Sequence, residues 1–356
     1  MKKLTMAAIA CGILAAAATP SMVLAADNTA EIALVLTAEG TVDDRGFFEG
    51  TYDGIKKFCE ETGHTYGYYN PTENSMDAVY EVMDLAVQNG AQVICVAGTD
   101  FREYAVEVFS SYPEVTFICN ELHGVTDFPE NTVDYIYKAQ EATFLAGVAA
   151  VYEGYKNLGV MCGMQIPPNL NGGYGFMQGI NWAAGELGVE GIDLKYWYTN
   201  SFVPSADIQS YAASWYESGT ELIGAFCGGA APSIYAAAEA ADGKAMGCDV
   251  DQSGLSETIV TSFLKNCNVM TYGGLVAWEN GTLEGGSITN VGLKEGAVGL
   301  EMENARFTTF TQEILDDVVE RYLNGEFEII DYTVGESPND MYDYFEEKNM
   351  TFTYYE

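Results

Sequence analysis

The chain has 356 residues, 48% hydrophobic and 19% charged, and carries a formal net charge of −37 at pH 7. Apolar content of that size supports two units of ordinary dimensions with real cores and excludes wholesale disorder. A balance so acidic repels phosphate backbones and anionic headgroups, which argues against nucleic-acid binding and electrostatic docking to a membrane.

At the N-terminus, Lys2 and Lys3 precede an apolar run from Met6 to Ala18, and small residues follow at Val23-Leu24-Ala25-Ala26. This pattern predicts a secretory leader over residues 1–25, with the mature chain starting at Ala26 or Asp27. A rival reading makes Cys11 a lipid-attachment cysteine, although the apolar stretch before it is short for a signal core. No later run approaches the roughly 20 apolar residues needed to span a bilayer. The expected destination is therefore export, to the cell surface or extracellular space, or to the periplasm if the cell has an outer membrane. Losing the leader removes two lysines and no acid, which takes the charge from −37 to −39. Seven cysteines remain, Cys59, Cys95, Cys119, Cys162, Cys227, Cys248 and Cys267. Seven cannot all pair, and most lie in apolar strand-like runs, where a free cysteine acts as a small core residue. No C-x-x-C or metal-ligand spacing occurs.

The mature chain opens with strand candidates at 31–37, 64–70, 91–98 and 114–120. Between them the pattern predicts a helix over 47–62 and another after Ser75, capped by Asn74 or Ser75. In the second, Val79, Val82, Met83 and Ala86 recur at helical spacing, and Gly90 can close it in a left-handed turn. A long helix in the 137–155 segment, with Glu141 near its start, begins a second series. Strand candidates there cover 157–163, 192–199, 221–229 and 244–250, separated by helices near 173–187, 206–218 and 231–241. Near-continuous apolar strands bracketed by helices mean parallel sheets covered on both faces. The reading is an α/β protein of two doubly wound lobes joined by hinge strands. The first lobe is drawn from 30–138 and about 268–305, the second from 139–267 and about 306–325. A late helix over 311–325 has Thr311 as its cap, and the acidic, aromatic-rich tail 326–356 has no assigned place.

Ligands of such sheets lie beyond the carboxyl ends of the strands, so two facing lobes would bring several strand-end loops to one cleft. Asp249, Asp251 and Ser253 alternate ahead of Gly254 and suggest a calcium loop, but the closing glutamate position is occupied by Val260. Asp249 instead reads as a strand-end carboxylate, complemented by Lys265 at the end of the next apolar run. One accepts and the other donates hydrogen bonds, which suits vicinal hydroxyls; a surface ion pair worth under about 1 kcal/mol is the bland alternative. After the first strand, Asp43 or Asp44 can cap the first helix, and Phe47 and Phe48 face core or cleft. Gly228-Gly229 lets a ligand approach backbone amides, without the spacing of a nucleotide loop. Phe202 follows another strand and could stack on a planar ring. Catalytic signatures are lacking: the histidines are His64 and His123 alone, and no G-x-S-x-G or H-E-x-x-H occurs. His123 reads as a solvated loop side chain, with ligand contact as the alternative.

These loops, taken together, resemble the basic membrane protein (BMP) family, the purine nucleoside-binding proteins of ABC transporters. The likeness covers roughly residues 30 to 325. Asp44-Arg45-Gly46-Phe47-Phe48 matches the family's D-x-[SG]-F-N signature, "SYPEVTFICNE" its Y-P-x-v-x-F strand, and "EATFLAGVAA" its helix start. "GMQIP…GYGFMQGI", "GCDVDQ" and "IVTSFLK" follow in the family's order. The resemblance implies a class I periplasmic-binding-protein fold with a nucleoside between the lobes. It also implies ribose contacts from Asp249 and Lys265 with help from Gly228, a base sandwiched by Phe47 and Phe202, and its edge read near Glu121. Asp44 and Phe48 belong to the signature, although Phe48 replaces its asparagine and Pro204 stands where the family tends to have aspartate. The expected function is non-enzymatic capture of a nucleoside for an ABC permease, with no cofactor and no metal. The alternatives are another small polar ligand on the same scaffold, such as a sugar or signal molecule, and a secreted hydrolase using the acidic cleft.

Overall fold

A computed structural model describes residues 29–356; the expected leader and Cys11 lie outside the described residues. The first sheet is built from β1 (Ile32–Val35), β2 (Tyr66–Tyr69), β3 (Val93–Ala97), β4 (Thr116–Asn120) and β5 (Thr132–Tyr137). Helices α1 (Phe47–Thr62), α2 (Met76–Gln88) and α3 (Ala105–Ser110) connect them. Every residue of β1 and β3 is buried. Alternate β1 side chains serve opposite faces, because a strand repeats every two residues. Ile32 and Leu34 pack with Ile55 and Phe58 of α1, while Ala33 and Val35 pack with Val79 and Met83 of α2. Local signals act as the pattern requires: the Ser75 hydroxyl accepts from the Ala78 amide, and Gly63 and Gly90 leave their helices with φ of 85° and 98°.

The chain then runs α4 (Ala139–Tyr152), β6 (Asn157–Cys162), α5 (Pro167–Leu187), β7 (Ile192–Tyr198), α6 (Ala206–Glu217) and β8 (Leu222–Phe226). It continues through α7 (Ala231–Ala241), β9 (Lys244–Gly247), β10 (Ile259–Lys265), α8 (Cys267–Glu279), β11 (Ser287–Val291) and β12 (Val298–Leu300). The last elements are α9 (Gln312–Leu323), α10 (Pro338–Tyr344) and β13 (Met350–Tyr355). Strand orders are β11-β5-β4-β3-β1-β2 in one sheet and β12-β10-β9-β8-β6-β7-β13 in the other. All neighbours are parallel except the antiparallel β10–β12 pair.

Within the described residues the chain passes between the sheets after β5, after β10 and between β11 and β12. The passages are bonded to one another, Lys138 N to Val291 O at 2.9 Å and Asn266 N to Ala297 O at 2.8 Å. The buried Glu141 carboxylate accepts from Leu293 N and from the Tyr322 hydroxyl, each at 2.7 Å, and so ties two passages to α9.

Three features differ from the sequence reading. Helix α5 starts at Pro167 instead of near 173, because its glycines are packing devices: a Cβ on Gly175 or Gly179 would overlap the α4 backbone. Residues 298–300, assigned above to the first lobe, pair with β10 in the second sheet. The unplaced tail adds β13 beside β7, and Tyr332 N donates to Asn171 Oδ1 of α5 at 2.8 Å. The seven cysteines among the described residues are free and buried, and burial pushes the Cys162 thiol up to about 12.

Candidate functional site

The carboxyl ends of both sheets open on one cavity of about 910 Å³. Loops after β1, β2, β3 and β4 line one side, and loops after β6, β7, β8 and β9, with the end of β10 itself, line the other. Asp44, Phe47, Phe48, Glu121, Phe202, Gly228, Asp249 and Lys265, eight residues singled out from the sequence, all line it.

The loops reach inward through backbone that side chains rarely adopt. Glu121, directly after β4, has φ 71°, Asp249 after β9 has φ 68°, Asn200 after β7 has φ 54°, and Arg45 in the β1 loop has φ 51°. A non-glycine residue in the left-handed region costs about 1 kcal/mol or more. Such strain recurs where a structure holds a side chain against a ligand, and three of these four residues line the cavity. Gly98 and Gly228, with φ of 115° and 52°, make the same kind of turn after β3 and β8 without that strain.

At the inner end, Lys265 Nζ lies 3.3 Å from Glu121 Oε1 and 3.9 Å from Asp249 Oδ1, and 5.5 Å from the Phe47 ring centroid. All three charged groups are buried. Burial alone would neutralise Lys265, but the carboxylates of Glu121 and Asp249 outweigh it and raise the ammonium above its ordinary value. Burial would likewise raise Glu121, yet Lys265 and His123 prevail and hold its carboxyl low. Asp249, farther from the ammonium, is ruled by burial and sits above the usual carboxylate range despite Lys265. The sequence pairing of Asp249 with Lys265 is thus incomplete, since Glu121 is the nearer partner.

His123 is the largest departure. It is 6% exposed, not solvated, and stands behind the cavity with Nε2 hydrogen-bonded to Glu121 Oε2. Tyr332 of the tail packs edge-on against its ring at 6.5 Å. Beneath it, burial pushes Asp134 up to about 7 in spite of the hydrogen bonds that the Leu122 amide donates to its carboxylate.

Asp44 accepts from the amides of Gly46 at 3.0 Å, Phe48 at 3.2 Å and Glu49 at 2.9 Å, which caps α1 with a carboxylate. Burial nevertheless raises it to about 6. Phe47 and Phe48 meet edge to face at 5.7 Å. Across the cavity Phe202 is 38% exposed and leans over Gly163 and Gly228, where a larger residue at 163 would collide with its ring.

Sequence reasoning passed over Gln252, although it ends the "GCDVDQ" segment. Its side-chain amide donates to Arg45 O at 2.7 Å, joining the second lobe to the first. Its Oε1 accepts from Cys248 N at 3.1 Å and from the Tyr235 hydroxyl, and its own amide donates to Ser262 Oγ at 3.1 Å. A separate depression of about 480 Å³ near Ser253 to Glu257 holds Arg306, whose guanidinium is committed to Ile259 O and Ser253 O.

The arrangement offers buried acceptors, one buried donor and aromatic faces, the set that holds a polar, flat-ringed molecule. Residues 32–333 match the family of ABC transporter substrate-binding proteins described as PnrA-like. The chain is 29% identical over 303 residues to basic membrane protein A1 of Borrelia garinii subsp. bavariensis, covering 82% of this chain and 86% of that protein. It is 24% identical over 309 residues to the ABC transporter nucleoside-binding protein BmpA of Lactococcus lactis subsp. cremoris, covering 80% and 84%. A solved ABC transporter solute-binding protein from Aeropyrum pernix K1 superposes with a TM-score of 0.69 at 22% identity, covering 83% of this chain and 87% of that one. A second, from Conexibacter woesei, superposes with a TM-score of 0.68 at 18% identity, covering 85% and 99%.

Proposed function

From the premise that the chain belongs to the PnrA-like family of ABC transporter substrate-binding proteins, we propose that it captures a purine nucleoside between its lobes and presents it to a membrane permease. Membership makes it a solute-binding transport component and not an enzyme. The nucleoside reading rests on one observation above the others: Lys265, Glu121 and Asp249 meet within 3.9 Å at the inner end of the cleft, beside the Phe47 ring.

One cation between two carboxylates leaves a buried surplus of negative charge, and buried carboxylates need donors. Ribose hydroxyls supply them to Asp249 and accept from Lys265. Glu121, steadied from behind by His123, accepts from the edge of the base. Phe47 and Phe202 flank the ring, Phe48 and Gly228 complete the walls, and Asp44 keeps the 44–49 loop in place by capping α1. Closure of the lobes excludes water, which strengthens each of these hydrogen bonds. The leader and the permease belong to the same reading, since an exported binder delivers its ligand at the membrane.

The test is a thermal-shift panel of nucleosides, free bases, pentoses and hexoses on the mature chain. A purine nucleoside is expected to raise the melting temperature, and Asp249→Ala to abolish that rise with little change in unliganded melting. A pentose or hexose that shifts melting as far as any nucleoside would overturn the reading in favour of a sugar.

A further inference from the structure

Buried polar side chains of α5 fix the course of the C-terminal tail. Asn171, Tyr174 and Gln178 are all buried and lie in one stripe of the helix, three and four residues apart. Each binds tail backbone. Gln178 Oε1 accepts from Ile330 N at 2.7 Å, and its Nε2 donates to Ile330 O at 2.8 Å. Asn171 Oδ1 accepts from Tyr332 N, and the Tyr174 hydroxyl donates to Gly335 O, both at 2.8 Å. Just ahead of the helix, Gln165 Nε2 donates to Glu336 O at 2.6 Å. Buried polar groups need such partners, so the path of residues 330–336 is built into the second lobe.

From this path the Tyr332 ring reaches the first lobe. It meets His123 edge-on, with centroids 6.5 Å apart and ring planes at 73°. His123 Nε2 is hydrogen-bonded to Glu121 Oε2, and because a carboxylate only accepts, Nε2 carries the hydrogen. Among the described residues no hydrogen bond is made by Nδ1, and the ring torsion of a histidine is intrinsically broad. Packing must therefore set the tilt of the imidazole. The Glu121 backbone is pinned separately, its amide donating to Tyr135 O and its carbonyl accepting from the Thr99 hydroxyl, each at 3.0 Å. What remains to be oriented is the carboxylate, with Lys265 at Oε1 and His123 at Oε2.

We infer that Tyr332 is a positioning residue for the cleft: fixed to the second lobe, it wedges the His123 ring against Glu121 of the first. The C-terminal tail thereby ties the lobes together, as the bond from Gln252 to Arg45 O also does. Movement of one lobe against the other shears the Tyr332 contact, which couples the orientation of the Glu121 carboxylate to the relation between the lobes. The consequence for binding rests on the nucleoside reading above, while the contact itself does not, and the two are tested apart.

NMR of the ligand-free mature chain reads the contact. The chain has two histidines, so His64→Gln leaves the ring signals of His123 alone. The expected result is a His123 Nε2 proton protected from exchange in the parent and in Tyr332→Phe, which keeps the ring edge, and unprotected in Tyr332→Leu. A proton unprotected in the parent, or equally protected in Tyr332→Leu, overturns the inference. Isothermal titration with adenosine, guanosine and inosine reads the consequence. Tyr332→Leu is expected to weaken the tightest of them at least about fivefold, the scale of an edge-on aromatic pair, with unliganded melting little changed. Tyr332→Phe is expected to bind as the parent does. In a His123→Leu background, Tyr332→Leu is expected to have no further effect, because its route to Glu121 is gone. Parent-like binding by Tyr332→Leu, or losses that add in the double variant, overturns the inference and leaves the nucleoside reading intact. If no nucleoside binds, that reading falls and the protection of the His123 proton alone decides the inference.

Discussion

Lys265 and Arg321 have the same company in two regions of the molecule. Lys265 stands between Glu121 and Asp249 over the Phe47 ring; Arg321 stands between Glu186 and Glu326 over the Trp182 ring, 4.9 Å from its centroid. Each is one cation with two carboxylates and an aromatic face. What separates them is water. The Lys265 side chain is 9% exposed and its partners 3% and 11%, whereas Arg321 is 29% exposed and its partners 41% and 52%. At the surface the extra carboxylate is solvated and the cluster merely staples α9 to α5. In the cleft it is uncompensated and calls for hydrogen-bond donors, so burial turns a common surface arrangement into a candidate binding site.

That contrast can be broken most directly by removing the buried cation. Lys265→Met leaves two buried carboxylates facing each other and is expected to lower stability by about 3–5 kcal/mol, as read by chemical denaturation, and to remove ligand-induced stabilisation. A loss below about 1 kcal/mol would make the two clusters equivalent. Gln252→Ala comes next, because it strips partners from Arg45 O, Cys248 N and the Tyr235 hydroxyl together; a loss of about 1–3 kcal/mol is expected. The same variant should weaken nucleoside binding in titration, since it severs a bond between the lobes.

The buried cluster also predicts a pH slope. Asp134 is raised from an ordinary 3.8 to about 7, so the folded state holds its proton more tightly than the unfolded chain. Its contribution is complete below pH 4 and is lost as pH climbs through 7, on the order of 4 kcal/mol in all. Melting curves should show Asp134→Asn gaining on the parent as pH rises from 5 to 8, and a constant difference would refute the assignment. Smallest of all, Arg321→Met is expected to cost under about 1 kcal/mol and to leave ligand binding unchanged, with part of even that effect vanishing at high salt.

Much of the cleft was legible because its residues sit where local rules are strong. Apolar strands end at Asn120 and Gly247, and the next charged side chains, Glu121 and Asp249, can only face the end of the sheet. The Ser75 and Thr311 caps and the left-handed Gly90 each act within one turn of chain, and all were readable. His123 was not, since no local pattern distinguishes a histidine on a wet loop from one buried against Glu121 and Tyr332. Gln252 was hidden for a similar reason, as its partner Arg45 belongs to the other lobe. The early start of α5 was missed because its glycines argue locally against a helix, and only contact with α4 favours them.

By itself, the sequence determined the periodicities, the caps, the class of fold and the types of side chain delivered to strand ends, because these follow from interactions between residues a few positions apart. Tertiary structure alone decided that Glu121 would come between Lys265 and His123, that the tail would close against the second sheet, and which of two similar charge clusters would be dry. Those outcomes depend on which distant surfaces exclude water from one another, and no short stretch of chain contains that information.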